Sequence, residues 1–373
     1  MAQQVIYRKY RPKSFTEVVG QNHITSILQN AIRLDRVAHA YLFSGPRGTG
    51  KTTIARLLAK TANCEKPKDG APCNACAACK EFMEGHTLDL IEIDAASSRG
   101  IDEIRELREA VRLAPARAKH KVYIIDEVHM LTKEAFNALL KTLEEPPAHA
   151  IFILATTELE KVPDTIISRC QHFEFRKIAT SAIVERLGQL VKKEGITAEK
   201  SALQLIAFFA DGGLRDAESM LGQVLAMGES LTEESVRLIL GAPKSEAVGN
   251  LIAFLAEKNA AAATELILTT IDQGIDPQLY IKLIIHRLRN MLLHSFNPNH
   301  IAITAGTLSE EERKFLEEKK QIFTAAELER MLKIWIDAYW ISFKTVFPQL
   351  PLELAVVDIL RDSLEEEKEE KMI

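Results

Sequence analysis

The octapeptide Gly45-Pro46-Arg47-Gly48-Thr49-Gly50-Lys51-Thr52 is the most restrictive stretch of this 373-residue chain. It fits the phosphate-loop pattern G-x-x-x-x-G-K-[ST], which works only between a buried strand and the helix that the strand leads into. Both flanks comply. Ala40-Tyr41-Leu42-Phe43 is an apolar run of strand length, and Thr53-Ile54-Ala55-Arg56-Leu57-Leu58-Ala59-Lys60 reads as a helix. In such a loop the glycines let backbone N–H groups face phosphate oxygens, and the helix start adds its positive dipole end. Lys51 then reaches the β- and γ-phosphates, and the Thr52 hydroxyl is placed for Mg²⁺, with Thr53 beside it in the first helical turn. A glycine-rich turn without a ligand is the competing reading, and the complete pattern in register argues against it.

The other half of such a site needs carboxylates at the end of a second buried strand. Lys121-Val122-Tyr123-Ile124-Ile125-Asp126-Glu127 supplies them. Asp126 is placed to hold Mg²⁺, and Glu127 to orient and deprotonate an attacking water. Leu88–Asp94, Ile151–Ala155 and Gln171–Phe175 read as further strands. Thr156 and Thr157 follow the fourth, at the carboxyl edge where open parallel sheets bind ligands. His129 reads as a packed or capping histidine, since no second ligand stands at helical spacing from it. These elements predict an α/β unit. From Thr180 onward the strand signal stops, and helices are expected over 181–194, 200–210, 215–228 and 233–240, with Arg215 in a first turn behind Gly212-Gly213. Gly241-Ala242-Pro243 marks a boundary. The remainder reads as helical, with Trp335 and Trp340 as core or interface anchors, and ends in a charged tail.

Cys64, Cys73, Cys76 and Cys79 occupy one short segment, and the fifth cysteine, Cys170, stands apart. Four thiols at C-x8-C-x2-C-x2-C spacing suit a closed tetrahedral Zn²⁺ site of structural type. Disulfides are disfavoured in a cytosolic nucleotide-binding protein, nothing nearby implies an iron–sulfur cluster, and redox sensing is the lesser alternative. A net charge of −5 gives no global field for nucleic acid, so DNA contact requires a local patch. The helix 101–113 offers one in Arg105, Arg108 and Arg112, although such stripes are ordinarily solvated faces. The opening Tyr7–Phe15 is basic and aromatic, either a solvated arm or a segment folding over a nucleotide base, and Pro12 prevents a regular helix through it. No apolar run reaches membrane-spanning length and the first residues are not a signal peptide, so a cytoplasmic location is expected.

The parts together resemble the bacterial DNA polymerase III gamma/tau subunits, the ATPases of the sliding-clamp loader within the AAA+ superfamily. The residues that carry the resemblance are Tyr7-Arg8-Lys9-Tyr10-Arg11-Pro12, Phe15, Val19-Gly20-Gln21, the loop 45–52 and the Cys₄ insert after its helix. Ile125–Met130, Phe136–Pro147, Ala155-Thr156-Thr157, Ser168-Arg169-Cys170 and Gly213-Leu214-Arg215-Asp216 complete them. The match is dense over 1–243 and looser beyond, where Pro351–Ala355 resembles a collar helix. The resemblance implies an AAA+ P-loop domain over 1–179 with a zinc module at 64–79. An all-α lid over 180–242, an all-α collar over 243–363 and a charged tail or linker start over 364–373 would follow.

It also implies roles. Arg11, Pro12, Val18 and Val19 would border the adenine. Thr157 would sense the γ-phosphate, with Thr156 as the neighbour it is confusable with. Arg215 would be the second sensor, and Arg169 an arginine finger acting in trans on a neighbouring subunit's ATP. Arg99 and Arg105 would face DNA. ATP, Mg²⁺ and Zn²⁺ are the implied cofactors. The implied partners are further gamma/tau copies, delta and delta′ subunits, the sliding clamp and primer–template DNA. Polymerase and helicase would join them if the chain continues past Ile373. Three readings compete: another AAA+ machine such as a branch-migration helicase, a non-hydrolysing scaffold, and a zinc-centred binding module.

Overall fold

The computed structural model describes residues 5–85, 87–97, 100–228, 230–297, 310–319 and 322–371. Two compact units divide the chain, Met1–Arg186 with Ala210–Ser219, and Leu187–Phe209 with Met220–Ile373.

The first unit is built on five parallel strands, β1 (Ala40–Ser44), β2 (Leu90–Asp94), β3 (Lys121–Asp126), β4 (Ala150–Thr156) and β5 (Gln171–Glu174). They are ordered β2-β3-β4-β1-β5. Ser44 pairs with Thr156, and Asp94 with Asp126, so the strands end at nearly one level. Strand periodicity sends alternate residues to opposite faces. Leu42, Tyr123, Ile125, Phe152 and Leu154 pack on one side with Ile104 and Leu107 of α5 (Ile101–Val111) and Phe136 and Leu139 of α6 (Lys133–Glu144). Tyr41, Phe43, Val122, Ile124, Ile151 and Ile153 pack on the other. Their partners there are Ile24 and Leu28 of α2 (Asn22–Arg33), and Ile54 and Leu58 of α3 (Lys51–Ala62). Burial on both faces is why β1 and β4 read as unbroken apolar runs and not as alternating ones.

Three local outcomes have identifiable causes. The opening segment makes a single helical turn, α1 (Ile6–Lys9), which ends before the Arg11-Pro12 bond that would oppose it. β2 begins at Leu90 and not at Leu88, because Leu88 is exposed and Asp89 turns inward. There the Asp89 carboxylate accepts from the backbone N–H groups of Ala116, Arg117 and Ala118 at 2.7, 2.9 and 2.9 Å. Burial pushes this carboxyl up, and the three donors outweigh it and hold it below the usual range. A depressed folded-state pKa contributes stability above the unfolded value and loses it as pH falls. Asp89→Ala removes the charged acceptor of three part-buried backbone donors and is expected to cost about 2 kcal/mol in denaturant unfolding. The third outcome is the Lys68–Ala71 hairpin, whose turn residues Asp69 and Gly70 both have positive φ, +52° and +73°. A Cβ on Gly70 would stand 2.3 Å from Gln29 O, so only glycine fits against α2.

The second unit is helical. Capping residues set its helix starts: Asn259 caps α13 (Ala260–Asp272), Asp276 with Pro277 at the first position caps α14 (Pro277–Phe296), and Thr324 with Glu327 forms a capping box on the helix Ala325–Ser342. Tyr280, Ile284, Leu288, Leu328, Met331, Trp335, Leu352 and Val356 are buried. Of the two tryptophans, Trp335 is fully buried and Trp340 is 65% exposed beside Tyr339 and Phe343. The last helix, Leu350–Lys371, carries its backbone through the acidic tail. Among the described residues, no single helix is long and apolar enough to cross a membrane.

Candidate active site

Gly45, Gly48 and Gly50 follow β1 with φ of +131°, +76° and +104°. A side chain at Gly45 would meet Phe175 O at 2.3 Å. These positions admit only glycine without strain, and the turn delivers Lys51 and Thr52 to the start of α3. Lys51 is buried and its Nζ donates to Gly45 O at 2.6 Å and Pro46 O at 2.8 Å. Burial holds its ammonium below the ordinary lysine range, opposed by the charges of Glu127 and Asp126. Thr49 braces the loop by donating from Oγ1 to Pro46 O at 2.8 Å. Pro46 and Arg47 are exposed, and Thr53 is half-buried.

β3 ends on Asp126, whose Oδ2 accepts from Thr52 Oγ1 at 2.8 Å. The hydroxyl and carboxylate that would hold Mg²⁺ are therefore in contact, a hard-oxygen pair suited to that ion. Glu127 occupies the left-handed region with φ +49°, an uncommon conformation that lifts its carboxylate off the strand end. Its Oε2 accepts from Thr157 Oγ1 at 2.9 Å and from Thr157 N at 3.2 Å. Thr156 is fully buried, and its hydroxyl is engaged by His129 Nδ1 at 2.9 Å and by Glu158 N at 3.0 Å. The register separates the two threonines: 157 meets the candidate base, and 156 meets the supporting histidine. His129 itself lies 3.4 Å from Glu127 and 3.1 Å from Glu158.

Arg11, Pro12, Val18 and Val19, the expected adenine neighbours, are all half-buried, and Val18 packs against the core that contains Phe15. The other boundary is the first turn of α10 (Leu214–Ala226). Its approach requires two glycines in contact, since a Cβ on Gly48 would lie 3.0 Å from Gly213 Cα. Arg215 N donates to Gly48 O at 3.3 Å, and the exposed guanidinium stands 5.0 Å from the Tyr7 ring centroid. Arg169, after α7 (Asp164–Ile167), lies in a different setting. It donates to Glu144 Oε1 from Nη2 at 2.6 Å and to Thr165 O from Nη1 at 2.8 Å.

The four clustered cysteines converge. Their Sγ atoms all lie within 4.8 Å of one another, and Cys73 and Cys79 are 3.9 Å apart. Sulfurs around a tetrahedral Zn²⁺ stand about 3.8 Å apart, so the cluster is compatible with zinc. Backbone N–H groups of Cys73, Cys76 and Cys79 point at Cys64, Cys73 and Cys76 sulfurs at 3.3 to 3.4 Å. Such donors, from Ala75 and Cys76, lower the Cys73 thiol to about 6, while burial pushes Cys64 and Cys79 up.

Arg99 and the side chain of Arg105, the candidate DNA contacts, lie outside the described residues. Two contributors were not singled out from sequence. Gln21 is fully buried, and its Nε2 donates to Arg176 O at 2.7 Å and Thr49 O at 3.5 Å, tying the phosphate loop to the exit from β5. Glu144 is the acceptor that holds Arg169. Gln21 sits inside the Val19-Gly20-Gln21 run and Glu144 inside the Phe136–Pro147 run, so both lay in segments that carried the resemblance, although neither run shows which distant group its polar side chain meets.

A phosphate loop after β1, an Asp-Glu pair after β3, a polar threonine after β4 and an arginine-bearing helix start packed on the loop define a P-loop protein of the AAA+ class. Comparison with known proteins narrows this. Residues 20–179 match the family model described as DNA polymerase III, delta subunit. Residues 182–230 match that of the DNA polymerase III clamp loader subunit, ATPase lid domain, and 231–369 that of DNA polymerase III subunits gamma and tau domain III. The chain is 47% identical over 364 residues to DNA polymerase III subunit tau of Bacillus subtilis (strain 168), covering 97% of this chain and 64% of that protein. It is 43% identical over 261 residues to subunit gamma of Buchnera aphidicola subsp. Schizaphis graminum (strain Sg), covering 70% and 72%. With subunit tau of Escherichia coli (strain K12) the identity is 46% over 277 residues, covering 74% and 43%. The chain belongs to the DNA polymerase III gamma/tau family. It spans 64% and 43% of the lengths of the two tau subunits.

Proposed function

We propose that this chain is an ATPase motor subunit of a bacterial sliding-clamp loader, in which ATP binding favours clamp opening and primer–template binding and hydrolysis releases the clamp on DNA. The observation that carries this is the convergence of Lys51, Thr52, Asp126, Glu127 and Thr157 at the carboxyl ends of three neighbouring strands, with Arg169 held at Glu144. Lys51 now donates to its own loop carbonyls. Phosphate oxygens are charged and therefore stronger acceptors, so a bound triphosphate draws the ammonium onto the β- and γ-phosphates. Thr52 and Asp126 would hold Mg²⁺, which when bound would supply charge neutralisation for the phosphates. Glu127 takes the proton of the attacking water, and Thr157 holds that carboxylate in line while lying beside the γ-phosphate position. Arg215 reaches from the lid onto the nucleotide. Arg169 of one subunit neutralises phosphoryl charge on the next. Glu127→Gln keeps the shape and removes the base. It is expected to lower kcat about 10³-fold with ATP binding retained, read by single-turnover hydrolysis against equilibrium titration.

The reading extends to the domain scheme, with the ATPase region over 1–179, a lid over 180–242, a collar over 243–363 and a tail beyond. It extends also to Zn²⁺ in the Cys₄ cluster and to a cytoplasmic location. The partners are further gamma/tau copies, delta and delta′ subunits, clamp and primed DNA, with polymerase and helicase if the chain continues. Arg99 and Arg105 would then meet the DNA backbone inside the ring, by charge and not by base sequence. The matches to gamma and tau subunits along the chain support this over a branch-migration helicase. The test is ATP turnover by the purified chain alone and with accessory subunits, clamp and primed DNA. Weak turnover alone and strong stimulation together are expected. A rate that no addition changes would overturn the proposal.

A further inference from the structure

Arg186 and Glu218 are buried charges at 7% and 6% exposure, and no role given above uses either. Arg186 lies in α8 (Thr180–Glu194), and Glu218 lies one helical turn after Arg215 in α10. Arg186 Nε stands 3.5 Å from Glu218 Oε1, and Arg186 Nη2 donates to Tyr10 O at 2.9 Å. Tyr10 immediately precedes Arg11 and Pro12. One guanidinium therefore spans the segment assigned to the adenine and the helix start that presents Arg215. The two are tied a second time where Arg215 stands over the Tyr7 ring.

A buried ion pair is weak evidence for stability, because desolvation offsets much of its attraction. Its geometry here is informative in another way. Arg186 Nε is buried and stands 3.5 Å from the Glu218 carboxylate, a contact at the long end of hydrogen-bond range. Hydrogen bonds at ligand-free catalytic sites are often long and tighten when the ligand is bound. A link that closes only with nucleotide present couples whatever it joins.

We propose that Arg186, with Glu218 as its counter-charge, is a positioning residue of the nucleotide site, setting the adenine-side segment and the Arg215 helix start relative to each other. Filling one end of the site then presets the other. This rests on the ATP reading above. The test is a double-mutant cycle on the full chain, read by equilibrium titration with a fluorescent ATP analogue, with thermal melting of each variant alongside. Arg186→Met keeps the length of the side chain and removes the guanidinium. It is expected to weaken ATP binding about tenfold in the unaltered background and less than twofold in the Arg215→Ala background. Inorganic tripolyphosphate, which fills only one end, should lose less than twofold. Should Arg186→Met fail to fold, Glu218→Gln, which removes the charge and keeps the shape, makes the same cycle. Equal losses in both backgrounds, or no loss in the first, would overturn the inference and leave the ATP site standing. An unaltered chain that binds no ATP would sink both.

Discussion

Arg169→Ala is expected to lower ATP turnover by an assembled loader about 10³-fold, while the isolated chain keeps its nucleotide affinity within twofold. Three decades correspond to about 4 kcal/mol of transition-state stabilisation. The Arg169–Glu144 ion pair is partly exposed, at 33% and 48% for the two side chains, and pairs of that kind contribute about 0–1 kcal/mol. The comparison decides the direction. In the proposed trans role, Glu144 would aim the guanidinium and developing phosphoryl charge on a neighbouring subunit would outcompete it. The trans arrangement has its own signature. Under this proposal, chains carrying Lys51→Ala would be inactive in their own sites, and chains carrying Arg169→Ala would not complete a neighbour's. A mixture of the two is expected to recover activity that neither has alone, because some interfaces pair an intact loop with an intact arginine. Full turnover by the Arg169→Ala assembly would overturn this.

The parts legible in the sequence were those whose residues lie together along it. The phosphate loop, the Asp126-Glu127 pair and the cysteine cluster each occupy a few residues, and their chemistry dictates their spacing. The three central strands, β1, β3 and β4, were legible for a related reason, since burial on both faces leaves a continuous apolar signature. Contacts between distant segments left no such trace. Gln21 and Arg176 are 155 positions apart, and Arg186 and Tyr10 are 176 apart. A lone polar residue gives no sign of which distant backbone will claim it. Asp89 illustrates the same limit, because alternation made it a strand residue until three N–H donors drew it inward. Thr156 and Thr157 were ambiguous because strand periodicity fixes that neighbours point apart, not which of them points at the site.

On the proposal that the cysteine cluster holds Zn²⁺, treatment with a chelator, or replacing Cys79 by serine, is expected to unfold residues 64–79 while the sheet persists. Between Cys64 and Cys79 the buried positions are the two cysteines themselves, Gly70 and Pro72. That segment has no apolar core, and sulfur–metal bonds of the proposed site would stand in for one. Apparent zinc-binding energies of about 10–16 kcal/mol in small zinc domains show that such bonds alone suffice to fold a segment of this size. The consequence reaches the nucleotide site by a traceable route. The buried Lys60 donates from Nζ to Asn74 Oδ1 and to Lys13 O, each at 2.7 Å, so it ties the insert to the chain just after Arg11-Pro12. Losing the insert leaves that ammonium half-satisfied in a site where burial already lowers its pKa. ATP affinity is therefore expected to fall about two- to fivefold, or about 0.4–1 kcal/mol, through the adenine side and not the phosphate side. Limited proteolysis within 65–75, thiol release on chelation and far-ultraviolet circular dichroism separate the outcomes. Rapid cleavage with the sheet signal intact is the expected pattern. An insert that resists protease equally with and without chelator would show that something other than a metal holds it.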